Sequence, residues 1–300
     1  MDQINKKTIT IISVSYYSSL HLNRLFINLI DKAKYPLSIQ FLVVDNSNND
    51  DSGLKDSFRE DLDIDFILNN GTGLQRSVSH AKALDLGLKS SNSEYTLIID
   101  PDVHVFKKEW DILCMNHILA KKETVIGAPY PNWKLGKVHD YPSVVFLFFK
   151  TNEIQNLGKR FYPFPGFFRI IWNSIFRKIT RLGILTNKSR LDKSKTLRFI
   201  SSRLENLIGI TSPDTGKEII ESMRENSFNP VIFDAPYSSD LKNKEKQTQK
   251  EMAKYFELFL FDDEPIITHM YGSGVFHWKT KKGADIDYWQ ELISKIEGEL

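Results

Sequence analysis

Two carboxylates separated by one proline, Asp100-Pro101-Asp102, follow directly on the apolar run Tyr95–Ile99. Side chains at i and i+2 of an extended chain lie on the same side, so this spacing lets both carboxylates face one ligand. Proline offers no donor to a ladder and suits the end of a strand better than its centre. Two hard oxygen donors just beyond the carboxyl end of a buried strand suit Mg²⁺ or Mn²⁺ carrying a diphosphate. An Asp-Pro pair also opens turns, and taken alone that is the simpler reading.

The elements that must position such a pair are legible on either side of it. Thr8–Val14 is a short β-branched run, and Leu22, Leu25, Phe26, Leu29 and Ile30 form the apolar face of a helix after it. Ile39–Val44 is a second buried strand, and Asp63–Leu68 a weaker third. Leu74–Leu88 reads as a helix leading into the strand at Tyr95, with a helix near Lys107–Leu119 and a strand at Thr124–Ala128 beyond. This alternation predicts a mainly parallel sheet flanked by helices. Four strand ends carry polar residues: Ser15-Tyr16-Tyr17, Asp45-Asn46-Ser47, Asn70-Gly71 and Asp100-Pro101-Asp102. A row of this kind forms a ready crevice. Each member also has a local explanation: Asp45 can open an Asx-turn, and Asn70-Gly71 is a favourable turn pair. Val144–Phe149 is a further strand, expected on the far side of the cleft.

Bulk properties set the outer limits. The chain has 300 residues, 41% of them hydrophobic, with a net charge of +2 and a single cysteine, Cys114. A near-neutral balance excludes a strongly basic nucleic-acid binder, and one cysteine excludes an internal disulfide framework or a thiolate zinc site. The amino-terminal apolar run is too short for a signal peptide or a membrane span, and no other stretch reaches spanning length. The expected location is therefore cytoplasmic. Composition shifts in the middle: residues 159–203 hold twelve Lys or Arg against one acid, Asp192. There Phe168, Trp172, Ile175, Ile179 and Leu182 fall on one helical face, while Arg169, Arg177 and Arg181 line another. Such a helix rests in an anionic membrane surface, or it packs on the core with a solvated basic face. The expected organisation is a nucleotide-binding half over residues 1–150, a basic aromatic helical insertion over 151–210, and acceptor-side elements over 211–300.

The succession VSYYSS, VVDNSNNDDS, NNGTGLQRSVSHAKALDLGL and YTLIIDPDV resembles glycosyltransferase family 2, over about the first half of the chain. The resemblance implies an α/β fold of the GT-A type, with the basic helical segment as an insertion. It implies a UDP-, GDP- or dTDP-sugar donor, and Mn²⁺ or Mg²⁺ as cofactor. Ser15, Tyr16, Asp45 and Asn70 then contact the nucleotide, Asp100 both nucleotide and metal, and Asp102 the metal. The acceptor is a hydroxyl of a glycan or lipid-linked glycan, deprotonated in an inverting reaction by Asp214 of Pro213-Asp214-Thr215-Gly216. Proline stands there where the family usually has glutamate, and Asp214 also suits the first turn of the following helix. His269 of ITHMYGSG is the preferred late histidine on the metal or phosphates, with His277 as alternative. Two other readings stand beside this one. A sugar-phosphate nucleotidyltransferase needs a glycine-rich first loop, which Ser15–Ser19 lacks. A non-catalytic, membrane-associated binding module would keep the fold without metal-dependent nucleotide binding.

Overall fold

Alternation of apolar side chains in the amino-terminal strands buries both faces of one sheet. In Ile9–Ser15 (β1), Ile9 and Ile11 join one core, Ile12 and Val14 the other, as a period of two requires. Ile39–Asp45 (β2) divides in the same way, with Phe41 and Val43 opposed to Leu42 and Val44. Ile64–Leu68 (β3) and Tyr95–Ile99 (β4) complete a parallel group in the order β3-β2-β1-β4. The computed structural model describes residues 7–70, 76–163, 188–209, 215–241, 246–270, 282 and 285–300.

Beyond β4 the sheet continues through Phe146–Lys150 (β7) and Thr124–Ala128 (β6) to Asn229–Ile232 (β8), giving the order β3-β2-β1-β4-β7-β6-β8. Only β7 runs against its neighbours. It was expected across a cleft from the parallel strands; it lies inside their sheet instead. Phe146 and Phe148 fill one core and Leu147 and Phe149 the other, so this run could be satisfied only between two strands with cover on both faces. Ser19–Lys32 (α1) and Trp110–Ala120 (α3) cover the first face through Leu25, Phe26, Leu29, Trp110 and Cys114. Arg76–Ser90 (α2), Thr151–Gln155 (α4) and Lys217–Glu225 (α7) cover the second through Leu84, Leu88, Ile154, Ile219 and Met223.

A second, antiparallel sheet sets Val103–Val105 (β5) and Glu257–Phe261 (β9) on either side of Glu264–His269 (β10). Gln247–Tyr255 (α8) and Ile286–Glu299 (α9) share a third core with it through Met252, Leu258, Trp289 and Ile293. Lys188–Lys193 (α5) and Lys195–Ile208 (α6) are helical. The apolar and basic faces expected over Phe168–Leu182 lie outside the described residues. No helix among the described residues is long and apolar enough to cross a membrane.

Candidate metal and nucleotide site

The chain leaves the main sheet at Ile99 and enters the second sheet at Val103, and Asp100-Pro101-Asp102 is the junction. Asp100 N–H donates to Val145 O at 3.2 Å, after which the chain turns. Strand end and turn, the two readings of Asp-Pro, are therefore both realised. In the strand order β3-β2-β1-β4, the direction of progression reverses at β1. Open sheets bind ligands at the carboxyl ends of strands beside such a reversal.

The second sheet brings in a histidine 167 residues away from Asp102. His269 ends β10, opposite Val103 on one side and Glu257 on the other. Met270 N–H donates to Asp102 O at 2.9 Å, closing the junction. His269 Nε2 lies 3.0 Å from Asp102 Oδ1 and 3.7 Å from Asp100 Oδ2. One donor atom from each of the three residues lies within 4.8 Å of the others. Donors on opposite sides of a cation with ~2.1 Å bonds stand about 4 Å apart, so a small contraction suffices to seat Mg²⁺ or Mn²⁺. Two carboxylate oxygens and one imidazole nitrogen are also a donor set suited to these ions. The residues present fit the metal.

Behind His269 stands Glu257, whose Oε2 is 2.9 Å from Nδ1, and behind Glu257 stands Lys134, whose Nζ is 2.6 Å from Oε1. Carboxylates only accept, so with Asp102 at Nε2 and Glu257 at Nδ1 the metal-free ring carries both protons. Burial works against that charge, but Asp102 and then Glu257 outweigh it and push the His269 pKa up to about 9. Burial likewise opposes the charge on Glu257, and Lys134 and His269 overcome it, bringing its pKa down to about 2. Asp100 is raised, first by burial and then by Asp102, against the pull of His80 and His269. His80, on α2, places Nε2 3.9 Å from Asp100 Oδ1.

The other expected contacts lie along the same edge. Ser15 and Asp45 face each other in register at the ends of β1 and β2. Ser15 is fully buried, and its Oγ has no hydrogen-bond partner among the described residues. Asp45 is buried and accepts Ser47 N–H at 2.8 Å, an Asx-turn. Tyr16 is 66% exposed, edge-on to Tyr17. Asn70 is exposed, and its neighbour Asn69 turns inward to Asn46 Oδ1 at 2.7 Å. Asp85 accepts Phe161 N–H at 2.8 Å, a structural bond. Asp214, Pro213, Gly272-Ser273 and His277 lie outside the described residues. Sequence reading missed His80, Glu257 and Lys134. A carboxylate opening the apolar run ELFLF was the one local signal, because an acid at such a position calls for a buried partner. A cavity of about 790 Å³ lies elsewhere, lined by Arg24, Lys32, His104, Lys108 and Glu297 among others, and no member of the Asp-Asp-His cluster lines it.

No protein-family profile matches the sequence, and no curated protein matches it. Among solved structures, the chain is similar to the mannosyltransferase PcManGT from Pyrobaculum calidifontis in complex with GDP-Man and Mn²⁺. That similarity has 17% identity, 53% of this chain and 48% of that one, and a TM-score of 0.41. It is also similar to TarS 1–349 of S. aureus in complex with UDP, at 19% identity, 52% and 50% coverage, and a TM-score of 0.41. The same TarS segment with UDP-GlcNAc gives 16% identity, 52% and 48% coverage, and a TM-score of 0.40. The chain spans about half the length of the structures it matches.

Proposed function

We propose that the chain is a metal-dependent glycosyltransferase of the GT-A type. It transfers a sugar from a UDP-, GDP- or dTDP-sugar to a hydroxyl of a glycan or lipid-linked glycan, with inversion. The observation that carries this reading is the convergence of Asp100, Asp102 and His269 beside the strand-order reversal of a parallel sheet. These three residues hold the cation. When bound, it supplies Lewis-acid neutralisation of the departing diphosphate. Ser15, Tyr16, Asp45 and Asn70 hold the nucleoside; Ser15 Oγ, buried at the strand end, has no hydrogen-bond partner among the described residues. By the family resemblance, Asp214 takes the proton of the acceptor hydroxyl as its oxygen bonds the anomeric carbon. The bond from that carbon to the diphosphate oxygen breaks, and the leaving group keeps the electron pair.

Calorimetry of UDP, GDP and dTDP with and without Mn²⁺ tests the reading. At least one nucleotide should bind only with the metal, and Asp102→Asn should shift that binding to higher Mn²⁺ concentration. A chain that binds none of the three with Mn²⁺ is the non-catalytic module instead. Asp214→Asn should leave nucleotide binding intact and stop turnover; normal turnover removes Asp214 from the role of base.

An anionic membrane surface is the proposed setting for a lipid-linked acceptor. On α6, Phe199, Ile200 and Leu207 are 61%, 45% and 86% exposed, with Arg203 beside Phe199. Exposed apolar side chains interleaved with arginine on one helix suit an anionic headgroup layer. Sedimentation with anionic vesicles at low salt should retain the protein, and Phe199→Ser with Leu207→Ser should release it. Equal retention by neutral vesicles, or none by anionic ones, ends the proposal.

A further inference from the structure

A line of three charged side chains runs back from the cation site, from His269 through Glu257 to Lys134, and the family resemblance gives no role to the last two. Glu257 is 4% exposed at its side chain, His269 3% and Lys134 10%. Burying charges is costly unless each is paired, and a buried ion pair of this kind is poor evidence for stability as such. Its geometry says more. Glu257 and His269 are opposite each other in β9 and β10, so their side chains emerge on the same face. One carboxylate oxygen of Glu257 meets Nδ1 of the ring, and the other meets Lys134. Lys134 comes from the turn after β6, where its own N–H donates to Pro131 O at 2.8 Å. The carboxylate is thus held at both oxygens by different parts of the chain and cannot rotate away from the ring.

We propose that Glu257 and Lys134 are positioning residues of the metal site: Glu257 engages Nδ1–H, which leaves Nε2 of His269 aimed at the cation, and Lys134 locks the Glu257 carboxylate in plane. The inference rests on the metal reading above. A histidine that binds a metal through one nitrogen commonly gives its other N–H to a carboxylate, which fixes the tautomer and ring orientation. Here that carboxylate is supplied by the neighbouring strand and braced from the main sheet's side of the molecule.

The test is titration of Mn²⁺ alone into the metal-free full chain, followed by calorimetry. Glu257→Ala should weaken binding about ten- to hundredfold, while Glu257→Gln, whose amide oxygen still accepts Nδ1–H, should recover most of the loss. Wild-type affinity in Glu257→Ala overturns the positioning role and leaves the metal site standing. No Mn²⁺ binding by the unaltered chain ends both. Should Glu257→Ala fail to fold, ¹⁵N spectra of the histidine rings in the unaltered, Zn²⁺-loaded chain decide the matter. His269 should keep a proton on Nδ1 and show coordination at Nε2; coordination at Nδ1 would falsify the proposal.

Discussion

His269 and His104 both face a glutamate, yet one ring is charged and the other neutral. His269 lies between two carboxylates, so both nitrogens donate. His104 accepts at Nδ1 from Arg24 Nη1 at 3.2 Å, because a guanidinium can only donate, and gives Nε2–H to Glu297 at 3.1 Å. It is therefore neutral, and burial first of all holds its pKa down despite Glu297. At His269 the contest between burial and charge goes the other way, because two acids outweigh one desolvation. The residue-scale prediction concerns Asp102. Removing one charge from a charge-assisted ligand costs about 1.5–3 kcal/mol, so Asp102→Asn should lower Mn²⁺ affinity roughly ten- to hundredfold. Asp85→Asn, whose carboxylate is engaged by Phe161 N–H and is no member of the cluster, should leave that affinity unchanged in the same calorimetric series. The identity of the paired acids and of His269 was readable from residue type and motif. Glu257 and Lys134 were not: an acid opening an apolar strand signals that Glu257 has a buried partner, but nothing local to either residue says which partner that is.

At the scale of elements, one carboxylate ties α9, already packed on the third core, to two other elements. Glu297 meets His104 of β5 and Lys32 of α1, the latter at 2.8 Å. Its hydrogen bond from His104, then that from Lys32, outweigh partial burial and bring its pKa to about 2 from an ordinary 4.5. A carboxyl whose folded pKa is depressed stabilises the fold fully above its unfolded value, and that contribution is lost as pH falls from 4.5 through about 2. Hydrogen exchange should show α9 loosening over that window, and Glu297→Gln should remove this part of the pH dependence. Acid behaviour identical in the mutant would assign the loosening to other groups. The apolar spacing of Trp289, Leu292, Ile293 and Ile296 made α9 itself legible, and Asp285 caps it by accepting Tyr288 N–H. Where α9 docks was not, since its apolar stripe of Trp289, Leu292, Ile293 and Ile296 fits any complementary face.

For the whole molecule, the antiparallel β7 joins the parallel strands to the far edge, and one glycine lets it close. A Cβ on Gly127 of β6 would lie 1.8 Å from the backbone oxygen of Phe146. Gly127→Ala must push the strands apart and should destabilise the fold by about 1–3 kcal/mol or more, read from denaturant midpoints. Trp110→Ala, which empties a fully buried site against Phe146 and Phe148 and leaves Leu29 O without its donor at 3.0 Å, should cost about 3–5 kcal/mol. The amino-acid order alone determined the β-α alternation, the parallel group and the polar residues at its carboxyl edge. These rest on periodicity and chain direction, which act within a few residues and need no knowledge of the rest. The insertion of β7 between β4 and β6, and the delivery of His269 to Asp102 by a second sheet, were decided only in the folded chain. Both depend on which apolar faces find one another across long stretches of sequence, and a strand's pattern states that it has a partner without stating which.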